Sequence, residues 1–169
     1  MTIIRILQYP DPRLKLVAKP VEAFTDDVKQ EIADMFETHY AQDNCAALAH
    51  SQMDFAEPKR ITVIDFSEEK NEPLCLVNPE IVEREGETNT PEGCMSVAVT
   101  AGVSARVKRA EKIRVKALDR DGKPLDFEAD GFLAKCIQHE IDHLDGILFI
   151  DKVSDFKRRQ LEKKIKRYK

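Results

Sequence analysis

Glycine occurs only six times and proline eight times in 169 residues, with no internal repeat and no low-complexity linker, which excludes collagen-like and disordered classes. Cysteine is scarcer still. Cys45, Cys75, Cys94 and Cys136 fall at irregular spacings that do not read as a disulfide framework in a chain of this length, so each is core filler or a metal ligand. No apolar run is long enough to cross a bilayer, and the first ten residues carry no basic leader and are interrupted by Arg5 and Gln8. Neither a signal peptide nor a membrane anchor is expected, and the expected compartment is a reducing cytoplasm, with no membrane or DNA partner.

The chain does hold the balance of a globular protein, 42% hydrophobic and 34% charged, and a single domain over 1–169 with a substantial core is expected. Its formal charge of −4 is unevenly held, because positions 157–169 carry eight Lys/Arg against one Glu. The remainder is therefore more acidic than the total, and the tail is a separate electrostatic object.

Residues 3–9 alternate loosely and predict a short strand, ended by Tyr9-Pro10-Asp11-Pro12, where both prolines fix φ and restrict the residue before them. Thr25, followed by Asp26 and Asp27, caps a helix over 26–42 with Val28, Ile32, Met35, Phe36 and Tyr40 at helical spacing; His39 is expected on its solvent flank. Segments 61–65 and 74–78 read as buried strands, 81–82 as a further extended piece, and 97–108 as β-rich. Segment 112–118 alternates strictly and forms a hairpin with 125–128. A last short strand is expected at 147–150, and Ser154 caps a C-terminal helix over 154–169 with a sparse apolar edge of Phe156, Leu161 and Ile165.

The chemistry is concentrated in Gln138-His139-Glu140-Ile141-Asp142-His143-Leu144. Two histidines four apart on a helix project from one face, one turn apart, which suits a single metal ion; the glutamate beside the first can reach a metal-activated water without being a ligand. Asp130 as N-cap, the apolar Phe132, Leu133, Cys136 and Ile137, and Gly146 as stop signal predict the helix itself. Such a site needs a third protein ligand. Two residues compete for the place. Cys94 follows Gly93, whose missing side chain lets the backbone turn sharply, and Glu162 follows His143 at about the spacing of the acidic ligand in zinc peptidases. Glu162 lies inside the Lys/Arg run and reads as a partner for its neighbours, so Cys94 is favoured.

Glu92-Gly93-Cys94-Met95-Ser96 together with the 138–144 segment strongly resembles the peptide deformylase family, whose motifs read EGCxS and QHExDH. The similarity extends to Tyr9-Pro10-Asp11-Pro12-Arg13-Leu14, Val63-Ile64-Asp65, Asn78-Pro79-Glu80 and Asp119-Arg120-Asp121-Gly122. The resemblance implies an α+β fold with short antiparallel sheets around a central metal-binding helix and a C-terminal helix. It also implies removal of the N-formyl group from the initiator methionine of new polypeptides. Cys94, His139 and His143 would bind the metal, usually Fe²⁺ in this family, with Zn²⁺, Ni²⁺ or Co²⁺ taken up on purification. Glu140 would carry the proton, and Gln52 with the Met95 N–H would hold the formyl oxygen. A pocket beside the site, lined by Phe132, Leu133 and Cys136, would accept the methionine side chain, and Ala46, Ala47 and Leu48 would meet the substrate chain. The basic tail would suit ribosomal RNA, where nascent substrates emerge.

The first family motif, GxGLAAxQ, is altered here to Cys45-Ala46-Ala47-Leu48-Ala49-His50-Ser51-Gln52. Both glycines are replaced and a histidine stands for an alanine. The change is expected to slow the reaction without abolishing metal binding, with His50 a polar residue at the rim, a substrate contact or an unusual ligand. The alternatives to an active deformylase are a deformylase-like metal-binding protein with weak or altered activity and a zinc peptidase.

Overall fold

A computed structural model describes residues 2–43, 45–97 and 103–167. In chain order its elements are α1 (Asp26–Ala41), β1 (Ala47–Ala49), β2 (Ile61–Ile64), β3 (Leu74–Glu85), β4 (Thr88–Glu92), β5 (Ala105–Arg109), β6 (Lys112–Leu118), β7 (Pro124–Asp130), α2 (Gly131–Leu144) and α3 (Asp155–Arg167). Five strands form one antiparallel sheet in the order β1-β2-β3-β6-β7, and β4 pairs with β5 in a second. This is the α+β arrangement of short antiparallel sheets and a central helix.

The alternation of side chains along the strands decides what lies on each face of the larger sheet. Ile61 and Val63 of β2 turn to α1, where they join Val28, Ile32 and Met35, while Ile64 turns the other way to meet Ala134 and Ile137 of α2. With a helix on each side, β2 is buried along its whole length, which is why the segment is apolar throughout rather than alternating. Each such fully buried aliphatic side chain contributes about 1.5–3 kcal/mol. A second core lies under β4 and β5, where Leu148, Phe149 and Ile150 pack with Cys94, Val97, Leu161 and Ile165.

Several local expectations change. Residues 3–9 make only an isolated bridge, Ile6 to Met53, because their backbone partners are divided: the Leu7 N–H donates to Gln52 O at 2.7 Å and the Tyr9 N–H to Ser96 O at 2.7 Å. The 81–82 piece is the continuation of β3, which passes Pro79 at a bulge; Asn78 adopts φ 52°, and its side chain holds both the N–H and the carbonyl of Val21. In the 97–108 segment the described strand is Ala105–Arg109, and 98–102 lie outside the described residues. The 147–150 run is a buried plug ending in a 3-10 turn, Phe149–Lys152, since a short apolar run has no period to distinguish it from a strand. His39 is buried at 2% exposure rather than on a solvent flank, its Nε2 bonded to the Ala46 carbonyl at 3.0 Å.

α2 runs from Gly131 to Leu144 and is followed, as expected, by the stop signal Gly146, whose φ of +77° and whose approach to Lys15 O, 2.4 Å from any added Cβ, admit no side chain. α3 is capped by Ser154 Oγ, which accepts from the Lys157 N–H at 3.2 Å; Leu161 and Ile165 are buried, but Phe156 is 71% exposed and adds nothing to the apolar edge. No helix among the described residues is long and apolar enough to cross a membrane.

Candidate metal centre and hydrolytic site

Three elements converge on one end of α2. His139, Glu140 and His143 come from the helix, Cys94 from the loop after β4, and Gln52 from a 3-10 turn, His50–Gln52, that follows β1. The sulfur of Cys94 and one nitrogen from each of His139 and His143 all lie within 4.8 Å of one another. Cys94 Sγ is 3.2 Å from His143 Nε2, which is 3.1 Å from His139 Nε2. His139 Nδ1 faces Glu92 Oε1 at 2.9 Å, so the ring proton is held on that side and the Nε2 lone pair is turned toward the cluster.

Burial, opposed by its hydrogen bonds to Cys94 and Glu92, leaves the free His139 imidazole pushed up to about 10. The same negative surroundings that hold a proton there would hold a cation in its place. Burial, followed by the charge of His139, keeps His143 well below its ordinary value and hence a neutral donor. A buried Cys/His/His set of this kind fits a divalent transition metal with one open position. The other thiols do not compete. Burial pushes Cys45 and Cys75 to about 12 and Cys136 higher still, so none supplies a thiolate.

Glu140 is 4% exposed, and its Oε2 is buried with no hydrogen-bond partner among the described residues. Burial raises its carboxyl to about 7, against the pull of His139 and Arg109. Gln52 is fixed at both ends: Oε1 accepts from the Ala49 N–H at 2.9 Å, and Nε2 donates to Ser96 Oγ at 3.1 Å and to Cys94 Sγ at 3.3 Å.

A cavity of about 370 Å³ opens beside these groups, and Ala46, Ala47, Gln52, Cys94, Met95, Phe132, Cys136, His139 and Glu140 all line it. Leu48 and Leu133 do not. Leu48 follows Ala47 in β1 and so points to the opposite face, into the α1 core; Leu133 is rotated about 100° around α2 from Phe132 and packs toward the sheet. Gly93 lines the cavity but has no left-handed φ, and an added Cβ would meet Val103 O only at 3.5 Å, so the sharp-turn argument for it does not hold. Glu162 is engaged elsewhere, with Tyr9 Oη at 3.3 Å and Arg158 Nε at 3.1 Å. His50 is fully buried, neither at the rim nor in the metal cluster.

Sequence reasoning missed the support for the ligands. Arg109, at the end of β5, donates through Nε and Nη2 to both oxygens of Glu92 at 2.9 Å and through Nη1 to Asp142. Glu92 in turn orients His139. Burial pushes the Glu92 carboxyl up, but the hydrogen bonds from Arg109 and His139, followed by their charges, outweigh it and hold the group at about 2. Gln138 clips α2 to the β5–β6 connection, accepting from the Ala110 N–H and donating to its carbonyl, both at 2.9 Å. Glu92, Gln138 and Asp142 were visible beside the ligands in the two motifs; Arg109 carried no signal.

A family model described as polypeptide deformylase matches residues 3–159. Peptide deformylase 1 of Coxiella burnetii is 59% identical over 163 residues, covering 96% of this chain and 95% of that protein. The crystal structure of a peptide deformylase from Legionella pneumophila aligns with a TM-score of 0.90 at 44% identity, covering 99% of this chain and 95% of that one. That of the Ehrlichia chaffeensis peptide deformylase, in complex with actinonin, aligns with a TM-score of 0.89 at 35% identity, covering 100% and 99%.

Proposed function

This chain belongs to the polypeptide deformylase family, and on that premise we propose how its residues divide the work. It is a metal-dependent hydrolase that removes the N-formyl group from the N-terminal methionine of newly made polypeptides. The observation that carries the division of roles is the convergence of Cys94, His139 and His143 beside an unpartnered Glu140 oxygen.

A divalent ion held by Cys94, His139 and His143 would supply the Lewis acid that makes water nucleophilic near neutral pH. Glu140, poised at about 7, would take the proton released as water attacks the formyl carbon, and would then give it to the leaving amine. Gln52 Nε2 and the N–H of Met95 would donate to the formyl oxygen as negative charge grows there. Phe132 and Cys136 would receive the methionine side chain in the cavity, and Ala46 with Ala47, at the start of the edge strand β1, would meet the substrate backbone. For the ion the proposal is Fe²⁺, with Zn²⁺, Ni²⁺ or Co²⁺ as substitutes on purification. Residues 1–169 are taken as one domain working in the cytoplasm.

Metal content tests the ligand set. Cys94→Ala should lose stoichiometric metal and Glu162→Ala should keep it. The reverse result would favour a zinc peptidase, a reading that the engagement of Glu162 with Tyr9 and Arg158 counts against.

The exposed basic face of α3 is proposed to dock on ribosomal RNA. Deleting the tail would also remove the buried Leu161 and Ile165, so a charge reversal at the exposed Arg159, Lys163 and Lys166 is the cleaner variant. Ribosome co-sedimentation should fall in this triple Glu variant and weaken steeply with salt in the parent. Unchanged co-sedimentation would remove the docking role.

A further inference from the structure

We propose that His50 is a positioning residue for Gln52, set there in place of the small residue of the related motif; the inference rests on the reading of Gln52 as the donor to the formyl oxygen. His50 is fully buried, and both of its ring nitrogens are committed. Nδ1 lies 3.1 Å from the Lys59 backbone N–H and can only accept from it, which leaves the ring proton on Nε2, 2.8 Å from Glu31 Oε1. The other Glu31 oxygen takes Lys59 Nζ at 2.6 Å, and the ring lies stacked on Phe55 with centroids 4.1 Å apart. One side chain thus ties together α1, the 59–60 backbone and the 3-10 turn it begins.

That turn carries two side chains bonded to the metal cluster and its loop. Ser51 Oγ donates to the carbonyl of His143 at 3.0 Å, and Gln52, at the end of the turn, reaches Cys94 and Ser96. The Met53 N–H closes the turn on the His50 carbonyl at 3.1 Å. A three-residue turn has no internal freedom to absorb a shift at its first residue, so displacement of His50 is transmitted to the Gln52 amide. An alanine at 50 could make none of the bonds to Glu31, Lys59 or Phe55. His50 faces the interior, away from the cavity, so in this chain the restoration of alanine is expected to slow the reaction rather than to relieve it.

The test is steady-state hydrolysis of formyl-methionyl peptides by the metal-loaded enzyme. His50→Ala should lower kcat about tenfold or more with KM within about twofold and with metal content unchanged, since misplacement by about 1 Å costs on the order of 10²-fold. His50→Asn, whose Oδ1 can stand in for Nδ1 toward the Lys59 N–H, should recover most of the loss. In a Gln52→Ala background, His50→Ala should cost little more, because the two act as a unit. An unchanged or faster His50→Ala enzyme, or a full additional loss without Gln52, would overturn the proposal. Should His50→Ala fail to fold, Glu31→Ala removes the same tie from the other side and is expected to lower kcat at least threefold; an unaffected kcat counts against positioning. The side-chain amide resonances of Gln52 in ¹⁵N-labelled protein read its placement without turnover. If they stay in place in His50→Ala, positioning is wrong. If they move while the wild type shows no deformylation, only the deformylase reading fails.

Discussion

Glu140→Gln should leave stoichiometric metal in place and reduce turnover of formyl-methionyl peptides by about 10²–10⁴-fold, the usual contribution of a general acid–base group. The amide preserves the shape of the carboxylate but can neither accept the water proton nor return it. Burial has already brought the carboxyl to about 7, so near neutral pH it exchanges protons in either direction at low cost. None of the proposed ligand atoms belongs to Glu140, which is why metal content and turnover separate in this variant. Parallel metal analysis and single-turnover hydrolysis check it, and undiminished turnover would take Glu140 out of the mechanism.

Arg109→Met is expected to cost about 3–5 kcal/mol of stability, a fall in Tm of roughly 6–20 °C, measured by thermal unfolding of the metal-loaded protein. The Arg109 side chain is 3% exposed and Glu92 9%, so removing the guanidinium strands a buried carboxylate that now shares its hydrogen bonds among Arg109 and His139. The double variant Glu92→Gln/Arg109→Met should recover part of the loss, because the cost of the single change lies in the uncompensated charge. Acid sensitivity should change in step. With its folded pKa depressed from 4.5 to about 2, Glu92 contributes stability that is present above pH 4.5 and lost as pH falls toward 2. Without Arg109 that folded pKa rises, and the difference in stability between pH 7 and pH 3 should shrink.

The sequence made the reactive groups legible because their geometry is local. Two histidines and a glutamate on one helical turn converge whatever the rest of the chain does, and Cys94 is picked out by its motif and by the poor placement of Glu162, not by any need for glycine at 93. Strict alternation in β6 and the capped amphipathic pattern of α1 were equally readable, since each is a short-range consequence of side-chain direction. What could not be read depends on pairing across the chain. Arg109 matters only because β5 brings it against Glu92 of β4 and Asp142 of α2, 33 positions away. His39 reads as a solvent-flank residue and His50 as a rim residue, substrate contact or ligand, because a lone polar side chain carries no sign of its distant partner; one bonds to the Ala46 carbonyl and the other to Glu31 of α1. The resemblance implies Leu48 against the substrate chain and Leu133 in the methionine pocket, but the period of a strand and the pitch of a helix turn each side chain into the core instead.

The floor beneath the cysteine loop is supplied by the far end of the chain. Cys94 and Val97 share their core with Leu161 and Ile165, which belong to the thirteen-residue helix α3. α3 follows both in sequence, so during synthesis the helix with both histidines and the loop with the cysteine emerge before the surface on which that loop packs. A polypeptide cut before α3 would own all three ligand residues and still lack the packing beneath the cysteine, which makes the arrival of α3 the step that seats the loop on its core.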